Sequence, residues 1–484
     1  MFHDHQNRRI VVVGGGIAGL TAAYRLGQAR GEGVPIDEIL VEAGDRVGGV
    51  IRTDRVDDCL IEAGPDSFLR EKPEAAALAR ELGLAEQLMG SNDAERRTYI
   101  LHKGRLQPFP EGLMLMVPTR LWPVLMTPLI PLASKVTMAR EWLLGRAPGG
   151  PAPGGDESIQ DFITRHFGVL ENITEPLVAG VYGGDPAELS ADSVLARFRH
   201  MEVEYGSLTR GALALRKKMG AAKPGSIFMT LRAGLGSLVE MLANRIGSER
   251  IELRRRVATL EARSGFAHGY RLIFDDGSIR EADSVILALP AWASADVLAG
   301  LDRGLAGQVA SIPYNSALTV ALGYDGRVRS RLPRGFGFLA PRAEKRGLLA
   351  CTFVHAKFDH RAPARRALLR CFLGGSRQPE ILKASDDEIL RVARTELRSI
   401  LGLADEPLFW RIYRWPRAMA QYTVGHAERL RAIAERVRTY PGLHLAGNAY
   451  SGIGISDVIR TGEAAARQVL ADVVQAPAQE VEAR

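Results

Sequence analysis

Cysteine is scarce: the 484-residue chain has three, Cys59, Cys351 and Cys371, with no C-x-x-C pair and no neighbouring histidine at metal-ligand spacing. That excludes a disulfide framework and a structural zinc site, and it fits a reducing compartment. Lysine is scarce too, nine of the 63 cations. The arginines that make up the rest are scattered, and the densest clusters, Arg254-Arg255-Arg256 and Arg365-Arg366 with Arg361 nearby, are too short for a nucleic-acid stripe. The formal charge of +7 and pI near 9.4 therefore do not point to nucleic acid. Long apolar runs are missing as well. The charge-free stretch Leu121–Ser134 is 14 residues long and carries Pro123, Pro128 and Pro131, whereas a bilayer span needs about 20 residues. Met1–Arg9 shows no signal-peptide pattern, and His3 and His5 read as a solvated tail, with no metal expected. Glycine and proline show no collagen-like period.

What is present is an ordinary globular composition, 46% hydrophobic and 25% charged, enough for about three domains' worth of core. Ile10–Val13 is a β-branched run that meets Gly14-Gly15-Gly16-Ile17-Ala18-Gly19 and then a helical pattern through Leu20, Ala23 and Leu26. A second strand, Ile39–Val41, ends at Glu42. This is a βαβ unit with a Gly-x-Gly-x-x-Gly turn, whose bare amides at a helix N-terminus suit a pyrophosphate while Glu42 suits ribose hydroxyls. A carboxylate there disfavours NADP. Directly after it, Glu42-Ala43-Gly44-Asp45-Arg46-Val47-Gly48-Gly49 places a guanidinium and two more close-approach glycines beside the same phosphates, which favours FAD over NAD.

Further along, the pattern predicts a helix over 71–88, a hairpin over 98–107 turning at Gly104, and a Pro/Gly linker over 145–155. It then predicts helices over 158–167 and 190–201, strands between 251 and 289, and more strands near 317–324, 348–354 and 368–373. A helix over 385–401, a strand at Leu443–Leu445 and a last helix over 457–474 complete it.

With these motifs in view, the chain resembles the FAD-dependent, amine-oxidase-like flavoproteins. More narrowly it resembles the protoporphyrinogen oxidase family, which includes coproporphyrin-forming coproporphyrinogen III oxidases. The residues that carry this are Gly64-Pro65-Asp66-Ser67, Glu175–Asp185 with Leu189-Ser190, Leu373–Arg377, Trp415–Tyr422 with Gly425-His426, and Ala446–Asp457. The resemblance implies an α/β fold: a Rossmann-like FAD-binding domain of the amine-oxidase/glutathione-reductase type from residues 1–65, 225–290 and 442–484. It implies an inserted α+β substrate domain from 66–95, 193–224 and 291–441, and a mainly helical cap over 96–192. Its implied FAD contacts are Gly14, Gly15, Gly16, Ile17, Ala18, Gly19, Glu42, Ala43 and Arg46 with Gly48 and Gly49 on the AMP and pyrophosphate side. Val50, Gly64, Pro65, Asp66 and Ser67 lie along the riboflavin half, Val257 holds adenine, Trp415 packs near the isoalloxazine, and Gly447 and Gly452, Ile453, Gly454 and Ile455 bring backbone to the flavin.

For substrate the resemblance implies Arg97 on a propionate, with Arg96 one residue away, and Gly180 facing the pyrrole N–H groups. The implied activity is six-electron oxidation of a porphyrinogen to a porphyrin in haem biosynthesis, with dioxygen as acceptor. The flavin carries the chemistry, so no catalytic side chain is assigned, and His426 reads as structural in the turn from Tyr422. The expected location is cytoplasmic. Peripheral contact with the inner face of the plasma membrane, transient docking to a ferrochelatase and a homodimer stay open. Two rival readings also stay open: a flavin oxidase or desaturase for an amine or carotenoid, and a non-catalytic flavin-binding partner protein. The Met- and Leu-rich stretch Leu113–Leu132, with apolar segments flanked by Arg120 and Lys135, suits a bilayer surface or, as preferred, the wall of an active-site cavity.

Overall fold

A computed structural model describes residues 7–114, 116–145, 150, 155–219, 225–263 and 269–482. His3 and His5 and most of the linker over 145–155 lie outside the described residues.

The first sheet is parallel. β1 (Arg8–Val13) is followed by α1 (Ile17–Gly31) and β2 (Ile36–Val41), with β1 at the centre. Beside β2 runs Ile251–Glu252, and on the other side of β1 run Ser284–Leu287 and then Leu443–Leu445. Alternation along β1 divides its apolar side chains between two cores. Ile10 and Val12 pack with α1 and the C-terminal helix Ile455–Glu482, while Val11 and Val13 pack with the antiparallel sheet Val257–Ala262, Tyr270–Phe274 and Ile279–Ala282. α1 and the C-terminal helix approach closely because Gly462 leaves no side chain against the Ala18 carbonyl, where a Cβ would stand 2.2 Å away.

The second sheet has seven strands in the order Phe409–Ala420, Tyr314–Asp325, Arg366–Gly374, Ala350–Phe353, Gly337–Leu339, Thr98–His102, Arg105–Pro108. All neighbours are antiparallel except Gly337–Leu339 with Thr98–His102. The helix Asp386–Leu401 covers one face, started by a full capping box between Ser385 and Glu388. Cys351 and Cys371, twenty residues apart in the chain, are paired across two strands of this sheet with sulfurs 3.9 Å apart. Both are buried free thiols.

The third unit is helical. Ile159–Phe167, Glu171–Tyr182, Ala196–Tyr205 and parts of Leu121–Met126 and Leu132–Leu144 enclose Phe162, Phe167, Ile173 and Met138. Ser158 caps its helix by accepting from the Asp161 amide, at the start of the helix expected over 158–167. At its centre fully buried His166 has Nε2 3.2 Å from Glu202 and Nδ1 3.6 Å from Glu141, and Arg165 spans Glu157 and Glu202.

Several expected boundaries move. The helix after Glu71 is only Glu74–Glu81, because Gly83 takes φ +84 and ends it. The hairpin Thr98–Pro108 is hydrogen-bonded into the seven-stranded sheet instead of belonging to the cap. Conversely, Phe198, Met201, Leu208 and Ala212 pack into the helical core, not the substrate unit, and Ala291–Ala310 packs on the parallel-sheet side through Leu298, Leu305 and Val309.

Candidate functional site

The three motif glycines do three different things. Gly14 takes φ +106, and a Cβ on it would stand 2.6 Å from the Ala288 carbonyl oxygen. Gly19 lies against Gly14, where a Cβ would stand 1.9 Å from its carbonyl oxygen. Gly16 has open space where its Cβ would be. These are the tight turn, the close packing and the phosphate approach of a dinucleotide turn. Gly16 caps α1 with no side-chain partner, no acid stands in the first turn, and the side chains of Ile17 and Ala18 are buried. Among the described residues no acceptor meets the first-turn amides of this helix, which suits an anionic ligand there.

Glu42 spans the two glycine loops: Oε2 accepts from Gly15 N at 2.6 Å and Oε1 from Gly44 N at 2.7 Å. Gly48 N donates to Gly15 O at 2.7 Å, and a Cβ on Gly49 would come within 3.4 Å of Gly16 Cα, so the second loop closes on the first. Ala43 is exposed beside them. Arg46 donates to the carbonyls of Val47, Gly49 and Ile51. It braces its own loop. Buried Val257 shares a core with Val13 and Val41, at the Glu42 end of β2.

The edge continues through Val50. The Gly64 backbone lies against it, with a Cβ on Gly64 falling 1.9 Å from Val50 O. Pro65, Asp66 and Ser67 follow, and the Trp415 indole N–H donates to Ala63 O at 2.9 Å. From the C-terminal segment, Gly447 N donates to Thr461 Oγ1 at 3.0 Å. Gly452, at φ +111, donates to the Tyr422 hydroxyl at 2.8 Å, so its amide is already used. Among the described residues no acceptor meets the amides of Ile453, Gly454 and Ile455, the start of the C-terminal helix. Gly16–Gly49–Val50–Gly64 is thus one continuous backbone edge that starts at a helix N-terminus. These residues fit an extended dinucleotide.

His426 is buried and stacks on Tyr422 with ring centroids 4.1 Å apart. Burial and the Arg429 charge bring it down to about 4, so it stays neutral as a packing element of this turn. Arg97 and Gly180 are both exposed. Gly180 sits near the end of Glu171–Tyr182 against Leu339, and Arg377 clamps that helix to the sheet through Glu175 and the Ala340 carbonyl. Burial, then the Asp457 carboxylate, push the Tyr182 phenol up to about 12. Leu339 is paired with Ile100, which packs in the same helical core, whereas Tyr99 belongs to the opposite side of the sheet.

Sequence reasoning passed over Lys72, whose Nζ lies 2.5 Å from buried Asp457 beside Gly452. It also passed over the buried cations around Asp66, because Arg361 drew notice only as one of a basic cluster. That cluster is not a surface stripe: Arg365 and Arg366 pair with Asp58 and Asp57, Arg255 pairs with Asp276, and Arg361 is buried.

A Rossmann-type sheet carrying this double glycine edge defines a dinucleotide flavoprotein. The model of the family "Flavin containing amine oxidoreductase" matches residues 17–470, and the chain belongs to that family; it is an oxidoreductase whose cofactor is FAD. Among curated proteins it is 34% identical to coproporphyrinogen III oxidase of Bacillus subtilis (strain 168), covering 96% of this chain and 98% of that one. It is 29% identical to the chloroplastic protoporphyrinogen oxidase of Oryza sativa subsp. japonica, covering 95% and 87%. Among solved structures it superposes with a TM-score of 0.84 and 30% identity on a protein of Exiguobacterium sp. 255-15 provisionally named a protoporphyrinogen oxidase, covering 96% and 99%. A reduced UDP-galactopyranose mutase shares the fold alone, at 16% identity and TM-score 0.70, covering 96% of each chain.

Proposed function

We propose that the protein oxidises coproporphyrinogen III to coproporphyrin III, a six-electron reaction in haem biosynthesis with dioxygen as final acceptor. The observation that carries this is the likeness to coproporphyrinogen III oxidases at 28–34% identity over nearly the whole chain. The chemistry supplied by bound FAD is acceptance of two electrons in each of three rounds, with hydrogen peroxide as the reduced product of oxygen. The chain's own residues bind and orient. The amides at Gly16 and at Ile453–Ile455 hold the cofactor's two ends, Arg97 pairs with a propionate, and the Gly180 carbonyl meets the pyrrole N–H groups. No side chain need move a proton at a fixed atom, in keeping with a buried, neutral His426.

Aerobic incubation of the FAD-loaded protein with coproporphyrinogen III and, separately, protoporphyrinogen IX tests this. Porphyrin fluorescence should grow with both and with a higher kcat/KM for the first. No gain with FAD bound overturns the activity, and preference for the second overturns the substrate assignment.

The helical unit supports a peripheral membrane contact. Trp122, Leu125, Met126, Leu132, Val136, Leu143 and Leu144 are exposed there, close in sequence to Lys135 and Arg140, while Val124, Leu129 and Ile130 turn into the helical core. Among the described residues no helix is long and apolar enough to cross a membrane. Co-sedimentation with anionic vesicles, lost in Trp122→Ser with Met126→Ser, is the expected result; equal sedimentation of both proteins refutes the contact.

A further inference from the structure

Five charged side chains are gathered around Ala63–Ser67: Glu62, Asp66, Lys357, Arg361 and Arg370. Arg370 donates to the carbonyls of Ala63 and Gly64. Arg361 donates to Asp66 O and Thr230 Oγ1, each at 2.7 Å, and lies 3.4 Å from Glu62. Lys357 Nζ holds both Asp66 carboxylate oxygens, at 3.0 and 2.9 Å, and Thr319 joins Trp415 on Ala63 O. The side chains of Glu62 and Arg361 are each 1% exposed, and Nε of Arg361 and of Arg370 has no partner.

Charges buried this deeply are costly, and well-packed apolar residues serve stability as well or better. Such a cluster calls for a reason other than stability. Its arithmetic supplies one, because three cations face two carboxylates. Burial pushes the Glu62 carboxyl up towards its neutral form and lowers the three cations too, while Asp66, also pushed up by burial, is drawn well below the usual carboxylate range by Lys357, Arg361 and Arg370. The surplus lies at the far end of the Gly16–Gly49–Val50–Gly64 edge, where a dinucleotide anchored on Gly16 arrives.

We propose that Lys357, Arg361 and Arg370 are positioning residues for the flavin. They fix the carbonyls of Ala63, Gly64 and Asp66 and leave at least one buried positive charge uncompensated beside them, which makes the bound flavin easier to reduce than a neutral wall would. This rests on Gly64–Ser67 being the riboflavin-side wall, and it deepens the oxidase reading by giving the site an electron-accepting bias.

The test is the midpoint potential of the FAD-loaded protein by dye equilibration, without porphyrinogen, so that failure of the substrate assignment does not touch it. Removing one charge in Arg370→Met should lower the reduced-to-oxidised flavin ratio at fixed potential on the order of tenfold, about 30 mV for a two-electron couple. Arg370→Lys, which keeps the charge, should restore the potential, and Lys357→Met should shift it in the same direction as Arg370→Met, serving where that variant does not fold or retain FAD. A merely structural cluster would move thermal stability and leave the potential alone. Wild-type potentials in both methionine variants, or an equal shift in Arg370→Lys, overturn the proposal.

Discussion

Replacing Gly16 and Gly19 separately by alanine distinguishes a phosphate-binding turn from a merely tight one. Gly16 has φ −68 and ψ 176, a conformation open to any residue, and nothing stands within 4 Å of its would-be Cβ. In the apo-protein Gly16→Ala therefore costs about 0.5–1 kcal/mol as a poorer cap, offset by a similar gain from a stiffer unfolded chain. The new methyl group occupies the space a pyrophosphate must enter. Losing two charge-assisted hydrogen bonds at roughly 1.5–3 kcal/mol each predicts FAD binding weaker by on the order of 10²–10⁴-fold. Gly19→Ala is the reverse case, since its methyl group meets the Gly14 carbonyl at 1.9 Å and the turn itself must open. It should lower apo-protein stability by about 3 kcal/mol or more. Quenching of FAD fluorescence by apo-protein, together with apo-protein melting, reads both quantities. A Gly16→Ala protein that binds FAD within threefold of wild type would refute the assignment of this turn to the cofactor's phosphates.

Arg97→Ala should raise KM for the porphyrinogen by about 10–100-fold, the worth of a charge-assisted pair, with FAD content unchanged; run beside Arg96→Ala, an unchanged KM in the first removes Arg97 from the substrate. Burial pushes His166 down, but the Glu141 and Glu202 carboxylates prevail and raise it above the ordinary 6.5, against the opposing charge of Arg165. Its contribution to the helical unit is thus full below about pH 6.5 and fades as pH rises through the raised folded value. Melting temperature should fall across that window, a fall that His166→Gln flattens, and equal slopes in the two proteins would refute it. Ser385→Ala removes the hydroxyl arm of a capping box, which accepts from the Glu388 amide, at a cost of about 1 kcal/mol, so amide exchange in the first turn of Asp386–Leu401 should quicken about fivefold.

Local signals in the chain were strong wherever local rules decide the structure. The turn at Gly14–Gly19, the helix start at Ser158 and the Gly104 hairpin all depend on residues within a few positions of one another, and each stands where its pattern puts it. The misses are non-local. Phe409–Ala420 contains Pro416 and shows little alternation, yet it forms the long edge strand of the second sheet because Tyr314–Asp325 offers it a partner. Unit boundaries slipped for the same reason, since a hairpin or helix joins whichever core its apolar face meets. At the site, the glycine edge was legible, but Lys357, Arg361 and Arg370 carry no motif, and only folding brings them to Asp66.

The parallel sheet draws its strands from residues 8–13, 36–41, 251–252, 284–287 and 443–445. A nascent chain therefore makes β1 and β2 early and waits for most of its length before the strand at 443–445 can dock beside Ser284–Leu287. Until the C-terminal helix is made, the face of α1 that it covers lacks its partner. Loop closure over such separations makes folding slow and leaves an open sheet edge exposed during synthesis. Ile453–Ile455 arrive with that same last segment, so on the proposed cofactor contacts the sheet and the FAD site are completed together, late in synthesis.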